Sequence, residues 1–239
     1  MKHTMLRMLA VALAFALCGM PAATAAPKQG GTVSGTVTFD GDVPKTKIKK
    51  LDEENSAGCK CKEIELAELK IDKDSKGIAN VVIEILACGE AWAGKGLKFE
   101  IDQKGCVFSP HILIVPPGAE IVLKNSDEIL HNVRCSPTMN PAFNEGIPAG
   151  KTSTKTFEIA EKVKVACDVH SWMSAWVVVT TCRYNATTGD KGTYEIKDVP
   201  PGKYKLRVWH EKLGTLEKEI EITDGGKVEA NFQLKKESK

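Results

Sequence analysis

The stretch Val165-Ala166-Cys167-Asp168-Val169-His170-Ser171-Trp172-Met173 decides how this chain is read. It sets a thiol, an imidazole and a thioether at Cys-x2-His-x2-Met spacing, between apolar runs at 163–167 and 175–180 that read as strands. Upstream, Asn125-Ser126-Asp127 leads into His131-Asn132-Val133, which supplies a second imidazole. Two histidines, a cysteine and a weak axial methionine form the ligand set of a one-electron copper site. Soft sulfur favours Cu(I) and imidazole suits both oxidation states, so such a set can cycle without rebuilding its coordination. The residues nominated as ligands of one copper ion are therefore His131, Cys167, His170 and Met173.

The surrounding chain supports a β scaffold for that loop. Residues 30–39 alternate Val33, Gly35, Val37 and Phe39 with Thr32, Ser34, Thr36 and Thr38, the period of a half-buried strand. Short apolar runs follow at 78–86, 97–102, 106–108, 112–115, 120–125 and 154–159, separated by turns such as Pro116-Pro117-Gly118. Almost no helical periodicity is present, so an all-β sandwich or barrel is expected. Residues 43–62 read as charged and irregular, and 63–70 fit a short helix or a strand equally. Asp72-Lys73-Asp74-Ser75-Lys76-Gly77 begins like a calcium loop, but Lys76 and Ile83 stand where ligands would be needed, so it reads as a turn. The last sixty residues carry two further turns, Asp198-Val199-Pro200-Pro201-Gly202 and Asp224-Gly225-Gly226, between strands at 203–210, 218–223 and 227–234.

The chain has 239 residues and a formal charge of +2. Lys2 and Arg7 precede an apolar run at 8–20 that is followed by Ala23-Thr24-Ala25, the pattern of a secretory signal cut after residue 25. Removing those two positive charges brings the formal net from +2 to zero. Basic runs such as 45–50 are followed at once by Asp52-Glu53-Glu54, a mixed-charge surface that argues against a nucleic-acid partner. No later run reaches membrane-spanning length, so a periplasmic or secreted, non-spanning product is expected. Seven cysteines remain after the signal: 59, 61, 88, 106, 135, 167 and 182. An oxidising compartment pairs thiols. With Cys167 reserved for metal, three disulfides are expected, one of them Cys135–Cys182, with the connectivity of Cys59, Cys61, Cys88 and Cys106 open.

From about residue 97 to 180 the chain resembles a cupredoxin, with the ligand-loop spacing of amicyanin. The resemblance rests on Phe108-x-Pro110, Pro117-Gly118, Asn125-Ser126-Asp127, His131-Asn132-Val133 and the Cys167–Met173 loop. It implies a Greek-key sandwich, a type I (blue) copper and the ligand roles named above. Asp168 follows the cysteine where small or hydroxylic residues are usual, and Asn132 is expected to tie the two ligand segments together, toward Asp168. The flanks resemble the two halves of a carboxypeptidase regulatory-like, transthyretin-like sandwich. The first half is carried by Gly31-x-Val33-x-Gly35-x-Val37, the second by Thr188-Gly189-x-x-Gly192-x-Tyr194 and Val199-Pro200-Pro201-Gly202-x-Tyr204. The expected organisation is a signal at 1–25, a first half-sandwich at 26–96, a cupredoxin domain at 97–181 and a second half-sandwich at 182–239.

The function expected from this is one-electron transfer without a bond-making step. The partner would be a redox protein such as a c-type cytochrome or a periplasmic oxidoreductase. His170 at a loop tip is expected to show its ring edge to solvent, within an apolar patch of Met139, Pro141, Phe143 and Trp172. A copper-holding or delivery protein and a carbohydrate- or surface-binding sandwich are the alternatives. A nitrite-reductase-like enzyme would need a second, three-histidine copper, whereas only His111 and His210 remain, both read as structural.

Overall fold

The computed structural model describes residues 29–89 and 91–236; the expected signal at 1–25 lies outside them. The first part of the chain contributes β1 (Gly31–Phe39), β2 (Ile48–Lys50), the helix α1 (Glu53–Cys59), β3 (Glu63–Glu65) and β4 (Val82–Leu86). In β1 the alternation does its work: Val33 and Val37 are fully buried and Phe39 nearly so. Gly35 stands where the chain of Ala230 passes, since a Cβ there would lie 2.1 Å from the Ala230 carbonyl oxygen.

The next ninety residues or so build a unit of their own. They supply β5 (Lys98–Gln103), β6 (Phe108–Ser109), β7 (Ile112–Val115), β8 (Glu120–Asn125) and β9 (His131–Cys135). They continue with β10 (Phe143–Ile147), β11 (Thr152–Thr156), β12 (Lys162–Ala166) and β13 (Ser174–Val179). One sheet runs β10-β9-β12-β13-β7 and the other β11-β8-β5-β6. The β13–β7 and β5–β8 pairs are parallel and the rest antiparallel, the crossed connectivity of a cupredoxin-like Greek key. Ile101, Ile121, Leu123, Val133, Val163, Val165 and Val177 close its core.

The chain then returns to the first unit with β14 (Asn185–Thr187), β15 (Thr193–Val199), β16 (Gly202–His210), β17 (Gly214–Ile222), β18 (Lys227–Glu229) and β19 (Phe232–Leu234). β15 and β18 flank β1, β19 also pairs with β1, and β14-β4-β16-β17 forms the facing sheet. Strands from both ends of the chain thus share one core, Val33, Val37, Ile83 and Ile85 against Leu206, Val208, Ile222 and Leu234. The protein is all-β, with the cupredoxin-like sandwich inserted into a second, transthyretin-like one.

The two sandwiches meet over Val82, Ile112 and Val178, with Trp176 and Trp209 edge-to-face at 5.1 Å. A buried pair, His111 Nε2 and Glu211 Oε1 at 2.5 Å, crosses the same junction, as does Lys162 toward Glu84 at 3.7 Å.

Three sequence expectations change. Residues 43–62 are not irregular: β2 and β3 pair as a hairpin, and α1, capped by Asp52, lies between them. Residues 63–70 hold both a strand and a single 3-10 turn at Ala67–Leu69. The cysteine pairing also differs. Cys182 bonds Cys88, Cys59 bonds Cys106, and Cys61, Cys135 and Cys167 are free among the described residues. Cys135 cannot reach Cys182, because it sits within the five-stranded sheet opposite Phe143 and Val165, with its side chain in the inserted core. Cys182 belongs to the other core, beside Ala91.

Candidate metal centre

The start of β9 and the β12–β13 loop bring His131, Cys167 and His170 together. One ring nitrogen of each histidine and the Cys167 sulfur all lie within 4.8 Å of one another, and all three residues are buried. The loop is held tight by its own backbone, with Met173 N donating to the His170 carbonyl at 2.9 Å and Cys167 N to that of Met173 at 3.3 Å. Met173 is 1% exposed, at the inner end of that loop.

The outer partners of the two rings decide their protonation. His131 Nε2 lies 2.8 Å from Asp127 Oδ2. An ionised carboxylate only accepts, so Nε2 carries the hydrogen and His131 Nδ1 offers a lone pair. His170 Nε2 lies 3.1 Å from Asn55 Oδ1 on α1. The Asn55 amide is not free to flip, because its nitrogen donates to both Asp52 oxygens at 2.9 and 3.0 Å. Nε2 of His170 therefore also carries its hydrogen, and its Nδ1 is an acceptor. The two Nδ1 atoms face each other at 2.9 Å. Two lone pairs at that separation repel unless a proton or a cation lies between them, and the nearby thiol is the third donor such a cation would use.

The electrostatics run the same way. Burial opposes protonation of His131, but the contacts with Cys167 and Asp127 outweigh it and raise its pKa. Burial likewise opposes a charged Cys167, yet His131 and the backbone N–H groups of Asn132, His170 and Val169 hold its pKa below the ordinary thiol value. Burial and the neighbouring His131 keep His170 more readily neutral than usual. Before any metal binds, the raised His131 and the lowered Cys167 favour an imidazolium–thiolate pair; a cation between the rings would displace that proton and take the thiolate and both Nδ1 atoms, a donor set suited to copper.

Asn132 joins the two segments. Its Oδ1 accepts from Asp168 N at 2.7 Å and Val169 N at 3.3 Å and lies 3.2 Å from the Cys167 sulfur. Its amide nitrogen donates to Asn144 and to Asp168 Oδ2. The Asp168 carboxylate turns outward to Arg134, at 2.7 Å from Nε.

The expected exposure of His170 is overturned. The ring is 2% exposed, covered by α1 through Asn55 and flanked by Trp172 at 5.0 Å. Trp172 turns inward and donates to the Cys106 carbonyl, Phe143 stacks on Phe157 beneath Lys155, and of the expected patch only Met139, at 52%, and Pro141 are exposed. Asp127 and Asn55 were not singled out from the sequence. Asp127 had a signal, its place four residues before His131; Asn55 had only the Asp52-x-x-Asn55 cap pattern. The other two histidines lie apart from this centre. His111 bonds the Ser174 carbonyl and Glu211, while His210 Nδ1 accepts from Lys212 N.

Residues 173–235 match the family model of the carboxypeptidase regulatory-like domain. No curated protein matches the chain. Among solved structures, a purple cupredoxin from Nitrosopumilus maritimus is 22% identical, covering 34% of this chain and 99% of its own, with a TM-score of 0.31. An amicyanin variant in its Cu(I) state is 18% identical over 41% of this chain and 98% of its own, with a TM-score of 0.33. A copper-containing nitrite reductase from Thermus scotoductus is 18% identical over 41% of this chain and 27% of its own, with a TM-score of 0.34.

Proposed function

We propose that the protein is a type I copper electron carrier exported to the periplasm, with His131 Nδ1, His170 Nδ1, the Cys167 thiolate and the Met173 thioether as ligands of one ion. The observation that carries this reading is the pair of Nδ1 lone pairs 2.9 Å apart, each ring fixed by an outer acceptor, beside Cys167. Copper in such a set supplies a one-electron couple. The chain's own residues hold the donors still. Asp127 and Asn55 orient the rings, Asn132 and Asp168 brace the loop, and the apolar wall excludes water. Rigid donors keep the reorganisation on electron transfer small.

In this reading residues 97–181 are the redox domain and 26–96 with 182–239 the sandwich that carries it. The redox partner would be a protein such as a c-type cytochrome or a periplasmic oxidoreductase. No bond-making step is assigned. Among the described residues no helix is long and apolar enough to cross a membrane. A copper-delivery role would call for donors open to exchange, whereas His131, Cys167, His170 and Met173 are all at most 3% exposed.

The test is the visible and electron-paramagnetic-resonance spectrum after Cu(II) addition, beside Cys167→Ala. An intense thiolate-to-copper band with a narrow hyperfine splitting, both lost in the variant, supports the reading. A pale spectrum insensitive to the substitution rejects it.

A further inference from the structure

The β2–α1–β3 segment covers the metal-facing end of the inserted sandwich, and its attachment is unusual. Asp52 caps α1 by accepting from Asn55 N at 2.9 Å and also holds the Asn55 side-chain amide. That leaves Asn55 Oδ1 on His170 Nε2. One turn further, on the same face, Cys59 is bonded to Cys106. Both sulfurs lie within 4.8 Å of a His170 ring nitrogen. Cys106 is itself tied to the centre: its N–H donates to the Asp127 carboxylate at 2.9 Å, and its carbonyl accepts from Trp172. At Gly58 a Cβ would come 2.7 Å from the Ile129 side chain, so the helix lies flat against the loop before His131.

The flanking hairpin packs Ile64, with Leu51 and Leu66, on the inserted core, but the helix itself has few contacts of its own. Seven residues make two turns, far below the length at which a helix persists unaided. Its one buried residue is Cys59, and its C-terminal ion pair, Lys60 with Glu128, is exposed and so contributes little. The disulfide is the covalent tie between the helix and the inserted sandwich.

We propose that α1 is a cover over His170 latched by Cys59–Cys106, and that reduction of this disulfide by a dithiol opens the centre to metal exchange. The inference rests on the copper reading of the site and adds its regulation. A cleft of about 620 Å³, lined by Cys59, Cys61, Lys104, Gly105, Asp127 and Glu128, reaches the Cys59 side of the bond, whose Cys106 half is fully buried. A thiolate of the dithiol attacks one sulfur, forms a mixed disulfide and expels the other cysteine as a thiolate. The second thiol of the reductant then closes its own disulfide and releases the remaining sulfur. Two electrons and two protons pass from the dithiol to Cys59 and Cys106.

The test has two arms on the full chain. In the metal-free protein, diethyl pyrocarbonate labelling of each histidine is followed by peptide mass spectrometry. With the disulfide intact, His170 resists labelling as His131 does. After dithiol reduction, or in Cys59→Ser, His170 alone is labelled at least about tenfold faster, because its cover opens locally. Asn55→Ala, which keeps the disulfide, gives a smaller rise, and the double variant Cys88→Ser/Cys182→Ser gives none. Equal His170 labelling in oxidised and reduced protein overturns the latch, as does a rise shared by His131, which reports general unfolding. Should Cys59→Ser not fold, reduced wild type and Asn55→Ala carry the decision. In the copper-loaded protein, capture by a chelator accelerates on reduction; an unchanged rate overturns the latch. A loaded protein without a thiolate band overturns the copper reading instead, and the labelling arm still decides whether the cover exists.

Discussion

Two buried histidine clusters stand in this molecule, and the difference between them separates a site from a structural joint. At the sandwich junction, His111 has both ring nitrogens engaged, one by the Ser174 carbonyl and one by Glu211, and His210 Nδ1 takes the Lys212 N–H. In the inserted sandwich, His131 and His170 are just as buried, yet each engages only its outer nitrogen. The inner nitrogens meet each other and a thiol. Both clusters contain a carboxylate and both cost desolvation. What distinguishes them is what the ring nitrogens face: protein partners at the junction, each other and a thiol in the inserted sandwich. The junction contacts tie two elements together; between the inner nitrogens of the inserted sandwich a proton or a metal cation has to sit.

The strongest way to break the comparison is at the carboxylates. Asp127 accepts from Gly105 N, Cys106 N and His131 Nε2. Asp127→Ala strands three donors, two of them buried, and should cost about 3–5 kcal/mol in denaturant unfolding. Copper affinity should fall by roughly ten- to hundredfold in a competition titration. Unchanged affinity in a folded variant would remove Asp127 from the centre.

The second test uses pH. Burial drives the pKa of His210 down to about 4, well below its unfolded value. Between these values the unfolded chain binds the proton and the folded chain does not, so stability is full above about pH 6.5 and declines as pH falls toward 4. The decline should reach up to about 3 kcal/mol, and His210→Asn, if it folds, should flatten it. A steep decline retained in that variant would contradict the assignment.

A smaller effect sharpens the contrast. Glu211→Gln keeps an acceptor for His111 and removes the charge, so it should lower stability by about 1–2 kcal/mol and leave the copper spectrum unaltered. A changed spectrum would mean that the junction cluster is coupled to the metal centre. Asn132→Ser should act in the opposite sense, shifting the thiolate band at a cost in stability of about 1–2 kcal/mol.

What could be read from the sequence follows from the range of the interactions. The strands were legible because alternation such as Val33, Val37, Phe39 records a buried face directly. Cys167, His170 and Met173 share one short loop, and His131 opens a strand that hydrogen-bonds the strand before that loop, so their approach was legible too. The cover was not. A seven-residue helix leaves no periodic trace, and its role depends on one amide and one sulfur meeting residues 115 and 47 positions away. The disulfides failed for a related reason. Parity counts thiols but carries no geometry, and whether Cys135 faces the inserted core or the second sandwich is set by sheet register.

The most direct measurement of the central claim is copper K-edge X-ray absorption on the loaded protein, with Cys61 and Cys135 replaced by serine to remove the other free thiols. The account predicts one short copper–sulfur path and two imidazole nitrogens, with the sulfur path lost in Cys167→Ala. A first shell of nitrogen and oxygen alone, the same with and without Cys167, would contradict it.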